Sequence, residues 1–269
     1  MCCLAAAQTP VRVGDREVLT LLAGVDADKW TEAEATMSPD TERVQASRAS
    51  HHFHVDVDHS AGEKAYPIGW PRTNTPLAQA WQRDWSAYDF LRLVIYADTS
   101  RDQLPSSPLG LVLHTPDRAR QYNATLTELR KGQWVTIDIP VSRIGANDNV
   151  TLIQFFIAES NYRDHDVVDF FIEDIVLWRW AVPYAAGATV RPSVNFADAA
   201  SFVVSFQASG IRAGETVDGR AALVADGQEL LHVTRRIARG PAHIVLDLRG
   251  GQVPPGDYTV SLQLGDGEV

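Results

Sequence analysis

The chain has 269 residues, 45% of them hydrophobic by type, with a formal charge of −10 and a pI near 5.2. That length can hold two domains with their own cores, and the acidic balance argues against nucleic acid or an anionic membrane surface as partner. No run is apolar for long enough to span a bilayer, and the two cysteines, Cys2 and Cys3, leave the folded body without a disulfide or a thiolate metal site.

Residues 1–7 have the small-residue ending of a secretory signal before Gln8. They are read as its remnant, which implies a secreted, periplasmic or cell-surface protein. Beyond them almost nothing has helical period. Short alternating runs are separated by Gly, Pro, Asp and Asn, the pattern of an all-β sandwich or jelly roll. In chain order the predicted strands are Glu17–Leu22, Arg43–Ala46, His52–Val57, Phe90–Ala97, Leu109–His114, Trp134–Ile139, Leu152–Ala158 and Phe170–Trp178. Leu126–Gly132 and Val141–Ile144 read as short turns.

The run Asp169–Leu177 closes the first domain and carries two acids inside an apolar alternation. Strict alternation puts Phe171, Glu173, Ile175 and Leu177 on one face and Phe170, Ile172, Asp174 and Val176 on the other. A carboxylate on such a strand is costly unless a backbone nest, an Arg or a cation meets it.

Residues 8–180 form the first predicted sandwich, and 181–187 read as a linker because the composition shifts to small residues. Residues 188–269 form the second, with strands near Thr189–Phe196, Ser201–Ala208, Gly219–Ala225, Glu229–Ile237, Ala242–Leu248 and Asp257–Leu264. Asp226-Gly227 marks a hairpin between two of them. Asp266-Gly267 reads as a further hairpin turn whose returning strand is missing, so the chain is expected to continue past Val269.

Several stretches together resemble a known family. Leu21–Trp30 is similar to the opening of bacterial carbohydrate-binding modules of the galactose-binding-like jelly-roll type. Trp85–Leu93 resembles their entry into a central strand, Gly132–Pro140 the strand after it, and Asp169–Leu177 the closing strand, with Glu173 where the family often has Asp. Tyr66–Arg72 is a further local likeness. The resemblance covers residues 15–180, and the second domain is similar to the immunoglobulin-like units that accompany such modules. It implies two tandem β-sandwiches in the N-terminal accessory region of a glycoside hydrolase. The partner would be a polysaccharide or oligosaccharide, and a catalytic domain would lie downstream in the same polypeptide. It also implies a structural Ca²⁺ held by Asp26, Asp28 and Asp174, although the usual ligand set cannot be completed from this sequence. Such an ion takes about six to eight oxygens. The alternative is that Asp26 and Asp28 are solvated turn residues and Asp174 pairs with an Arg.

Sugars present apolar C–H faces and hydroxyl edges, which suit an aromatic platform beside amide, carboxylate or guanidinium groups. The candidates near loops are Trp70, Arg72, Trp81, Tyr122 and Tyr162, each of which could instead be packing. Trp85 and Trp134 stand at strand starts and read as core or edge packing. His51, His52, His54 and His59 cluster with Asp56 and Asp58. Imidazole and carboxylate can bind zinc, but no third ligand is fixed by spacing, and a solvated strand face is the favoured reading. The acidic loop Glu159–Asp166 matches the two-carboxylate rule of glycosidases by residue type alone. No nucleophile elbow, phosphate loop or metalloprotease helix occurs, so the chain carries no recognisable catalytic constellation.

Overall fold

Alternating apolar residues give the chain its strands, and the register between strands decides which face each side chain meets. The computed structural model describes residues 9–62, 68–192, 201–212, 214–249, 253 and 256–265. Residues 1–7, read from the sequence as a signal remnant, both cysteines, part of the Tyr66–Arg72 stretch and Asp266-Gly267 lie outside them. The fold is all-β. The chain divides into one compact unit of Met1–Val11 with Val18–Trp178 and another of Arg12–Glu17 with Arg179–Val269.

The first unit is a sandwich of two sheets. Its first sheet contains β1 (Val11–Val13), β2 (Arg16–Leu22), β4 (Thr36–Asp40), β5 (Ser50–Asp56), β7 (Phe90–Thr99), β10 (Gln133–Pro140), β12 (Val167–Ile172) and β13 (Ile175–Trp180). In it β7 is central, with β10 on one flank and β12 and β13 in succession on the other. The second sheet runs in the order β3 (Thr31–Ala33), β6 (Arg72–Pro76), β11 (Leu152–Phe156), β8 (Gly110–His114) and β9 (Tyr122–Thr125).

The core between the sheets takes alternate residues of each strand: Phe53 and Val55, Leu91, Leu93 and Ile95, Leu111 and Leu113, Ile153 and Phe155, Phe170 and Ile172. Trp85 is fully buried and donates its indole N–H to the Gln82 carbonyl at 2.6 Å, ahead of the entry to β7. Burying an aromatic of this size with its one polar atom satisfied anchors the sandwich.

Two expectations change. Arg43–Ala46 is a loop, because the amides of Gln45, Ala46 and Ser47 turn onto the Glu173 carboxylate instead of a neighbouring strand. The closing strand is also interrupted at Glu173-Asp174. Phe170 and Ile172 face the core before the break, and Ile175 and Leu177 face it afterwards, so the alternation shifts by one residue as at a β-bulge. Glu173 is buried against the loop amides, and Asp174 accepts the Gly24 N–H at 2.8 Å. Both acids are met by backbone N–H groups, which supply the compensation that their burial requires.

The second unit packs a sheet of β14 (Tyr184–Arg191), β15 (Ser201–Ser209) and β18 (Gly240–Asp247) against one of β17 (Gln228–Ala238), β16 (Thr216–Ala225) and β19 (Thr259–Leu264). Phe202, Val204, Phe206, Leu223, Ile237, Ile244 and Leu246 form its core. Asp226 and Gly227, with φ of 50° and 77°, join β16 to β17 as the hairpin signal predicts. Strand β14 begins at Tyr184, inside the stretch read as a linker, because Tyr184–Ala186 pairs with Gln207–Ser209.

Candidate functional site: the outer face of the second sheet

Residues of the second sheet that do not point into the core form a continuous outer face. Strand register sets Arg72, Phe156, Gly110 and Thr125 in one cross-strand row, and Asn74, Gln154, Val112 and Asn123 in the next. Adjacent side chains on one sheet face lie within reach of one another.

The first row is an aromatic and cationic corner. Trp70 enters just before β6, and its ring meets Phe156 edge-on with centroids 5.4 Å apart. The Arg72 guanidinium lies 5.0 Å from the Trp70 ring centre and donates to the Trp70 carbonyl at 3.1 Å. Phe156 lies over Gly110, where an added Cβ would come within 2.2 Å of its ring, so only glycine leaves room for the ring to lie flat.

The second row and its neighbour form a chain of polar groups. The Gln154 amide nitrogen donates to the Asn74 side-chain oxygen at 2.7 Å, and its oxygen faces His114 Nε2 at 3.4 Å. Gln121 meets His114 Nδ1 at 2.9 Å. Amides hold both donors and acceptors, so this chain can meet hydroxyl groups of either polarity.

Two carboxylates fix the loop that carries Trp70. Glu34, with φ of 57°, accepts the Trp70 N–H at 2.6 Å, and the buried Glu159 accepts the N–H groups of Gly69 at 2.8 Å and Asp58 at 3.1 Å. A Cβ at Gly69 would approach the Glu159 and Glu34 oxygens to 2.5 and 2.8 Å, so a side chain there would push both carboxylates aside. Burial raises the Glu159 pKa, its two amide donors oppose that rise, and the Glu34 charge adds to it.

Of the five residues singled out from the sequence for sugar, the structure brings Trp70 and Arg72 together on this face. Trp81 lies on the short helix α1 (Ala80–Arg83) and packs against the core. Tyr122 points inward from β9, also against the core. Tyr162 is buried and donates its hydroxyl to the Pro108 carbonyl at 2.7 Å, and burial raises its pKa. Phe156, Asn74, Gln154 and His114 were missed. They come from three strands, and only register places them beside Trp70.

Of the acids expected around calcium, Asp26 and Asp174 accept the N–H groups of consecutive residues. Asp26 accepts the Ala23 N–H at 3.3 Å and pairs with Lys29 at 2.9 Å, Asp28 is exposed, and Asp174 is held by Gly24. Among the described residues the side-chain oxygens of these three do not all lie within 4.8 Å of one another. In the acidic loop, Glu159 is occupied by backbone, Asp164 accepts the His59 N–H at 2.9 Å, and His165 is exposed.

No protein-family model matches the chain, and no curated protein matches it. Among solved structures, a β-1,2-glucanase from Parabacteroides distasonis aligns over 95% of this chain and 37% of its own, at 12% identity and TM-score 0.39. The glycoside hydrolase domain of Endo-D from Streptococcus pneumoniae R6 aligns over 81% and 37%, at 12% identity and TM-score 0.34. The N-terminal CBM22-1-CBM22-2 tandem domain of Xyn10C from Paenibacillus barcinonensis aligns over 97% and 86%, at 8% identity and TM-score 0.38. The chain thus spans about a third of the length of the first two. With scores this low, the functional reading rests on the chain's own residues.

Proposed function

We propose that the first unit is a non-catalytic glycan-binding module whose binding surface is the outer face of its second sheet. The observation that carries this reading is the Trp70–Phe156–Arg72 corner set against the Asn74–Gln154–His114–Gln121 chain. An indole offers an apolar face to sugar C–H groups, and amide, imidazole and guanidinium groups can bond hydroxyl edges. The formal charge of −10 suits a neutral ligand better than a polyanion.

Catalysis by the acidic loop is disfavoured on its own geometry. Both Glu159 oxygens accept backbone N–H groups, and a glycosidase needs two carboxylates free to flank the scissile bond. In this reading the chain is an accessory region of an exported polysaccharide-degrading protein, with catalysis in another part of that polypeptide. The second unit is then an immunoglobulin-like spacer.

The test is a glycan array on the chain, followed by titration of the best ligand against Trp70→Ala. Loss of about 1–3 kcal/mol of affinity, with the thermal transition unchanged, is the expected result. Unchanged affinity, or no glycan bound by a cooperatively folded protein, overturns the reading.

A further inference from the structure

The opposite face of the first unit holds a different constellation. His52 and His54 are two residues apart on β5 and point to the same outer face of the first sheet. Asp169 on β12 stands directly opposite His54. His52 Nε2 lies 2.7 Å and His54 Nδ1 2.8 Å from the same Asp169 oxygen, Oδ1. Among the described residues this is the one set of three His, Cys, Asp or Glu ligand atoms within 4.8 Å of one another.

Two further features fix the rings. His52 stacks on Phe171 with centroids 4.3 Å apart and planes 8° from parallel, which aims Nε2 at Asp169. His54 Nε2 lies 3.4 Å from an Asp56 oxygen, so this ring sits between two carboxylates, one at each nitrogen. A neutral imidazole has a single N–H and cannot donate to both. With the proton on Nε2 facing Asp56, Nδ1 presents a lone pair toward Asp169, and a cation between them resolves the conflict. A carboxylate behind a histidine is the usual outer support of a metal-bound imidazole.

We infer that His52, His54 and Asp169 form a binding site for one divalent transition-metal ion of the zinc type. Two nitrogens and one carboxylate oxygen favour zinc over calcium or magnesium, which prefer all-oxygen shells. Bonds of about 2.0–2.2 Å to three tetrahedral positions need ligand atoms about 3.3 Å apart, so the cluster must open by roughly half an ångström. The side chains of His52, His54 and Asp169 are 23%, 29% and 24% exposed, enough for an ion to enter and for water to complete its shell. Binding releases any proton held between the imidazoles and Asp169. The inference is independent of the glycan reading, which concerns the other sheet.

The experiment is a Zn²⁺ titration of the untagged, chelator-stripped chain against a chromophoric chelator. Cys2 and Cys3 are replaced by Ser, because thiolates would bind zinc on their own. Co²⁺ absorption reports the ligand type. One equivalent is expected to bind, with a rise in melting temperature and no competition from Ca²⁺ or Mg²⁺. His52→Ala, His54→Ala and Asp169→Asn should abolish it, and Asp56→Asn should weaken it roughly 10–100-fold. Each variant is compared by circular dichroism in the metal-free state, and if Asp169→Asn does not fold, the two His variants decide. Absence of binding, binding undiminished by either His variant, or equal competition by Ca²⁺ overturns the inference and leaves an imidazolium between two carboxylates.

Discussion

On the outer face of the first sheet four rings stand in one cross-strand row, whereas on the second a single Trp–Phe contact adjoins a chain of amides. The first face carries the row His52–Phe171–Tyr96–Trp134, set by register across β5, β12, β7 and β10. Phe171 is stacked by His52, Tyr96 and Trp134 meet at 5.6 Å, and the Arg43 guanidinium lies 4.5 Å from the Tyr96 ring centre. Its charges are paired within the face, Arg92 with Asp138 and the two His with Asp169. The second face has fewer rings and more uncharged polar groups. The difference teaches that a count of aromatics does not locate a binding surface. Rings that satisfy one another add cohesion to a sheet, and rings beside neutral hydrogen-bonding groups can serve a polar ligand with an apolar side.

The largest expected effect breaks the architecture behind the first face. Glu173 takes the amides of Gln45, Ala46 and Ser47 where the closing strand bulges. Glu173→Ala leaves those donors unpaired in a partly buried loop and should cost about 3 kcal/mol by chemical denaturation, since each bond to a charged acceptor is worth more than a neutral one. Glu173→Gln should recover part of that loss. A cost near zero would mean that the loop amides find water and that the bulge does not depend on the acid.

An effect of similar size should appear on acidification. His51, on the core side of the same strand as His52 and His54, is buried, and its pKa falls from 6.5 to about 4, first through desolvation and then with opposing influences from Asp26 and Lys29. Its Nδ1 accepts the Trp30 indole N–H at 3.2 Å, so the neutral ring carries its proton on Nε2, which has no hydrogen-bond partner among the described residues. The unfolded chain binds a proton at His51 more readily than the fold does. Stability therefore falls as pH drops through the window from 6.5 to about 4. The full loss is on the order of 3 kcal/mol. Denaturation curves of the chain and of His51→Gln across that window isolate the effect, and equal slopes for the two would remove His51 as its source.

The comparison of faces is sharpened by two variants read with one ligand. If glycan binds the second face, Gln154→Ala should weaken it by about 1 kcal/mol, the net worth of a hydrogen bond. Trp134→Ala, on the first face, should leave affinity unchanged. A reversal, with Trp134 sensitive and Gln154 silent, would move the binding surface to the other sheet.

Much of this fold is legible in the sequence, and the part that is not has a common cause. β5, β7 and β10 alternate strongly enough to be read directly, β8 reads as a short apolar run, and the hairpin of β16 and β17 is marked by its turn. The short strands β3, β4, β6 and β9 cannot be read this way: three to five residues bury too few side chains for an alternation to show, and in β6 the buried ones are polar. In β6, Thr73 and Thr75 face the core with no apolar signal at all. The bulge at Glu173-Asp174 escaped for a related reason, since its cause is a loop more than a hundred residues earlier in the chain. Trp70 and Arg72 stand out by residue type, whereas Phe156, Asn74 and Gln154 become a site only through register. The same holds for the metal cluster, in which the two His are local in sequence but the third ligand comes from β12.

The smallest effect tests whether charge pairing on the first face contributes to folding. Arg92 donates to both Asp138 oxygens at 2.8 and 2.7 Å, and its guanidinium lies 5.2 Å from the ring centre of Trp178, which itself stacks on Phe90. Bidentate geometry is the best case for such a pair, yet both partners are partly solvated, so salt and water screen it. Arg92→Met keeps an aliphatic stem over the indole and removes the charge. It should cost about 0.5 kcal/mol at low salt and less at high salt, where the Debye length shrinks to about 3 Å at 1 M. A cost that does not change with salt would mean that the arginine acts through packing on Trp178, and would place this corner with the mutually stacked rings of the rest of its face.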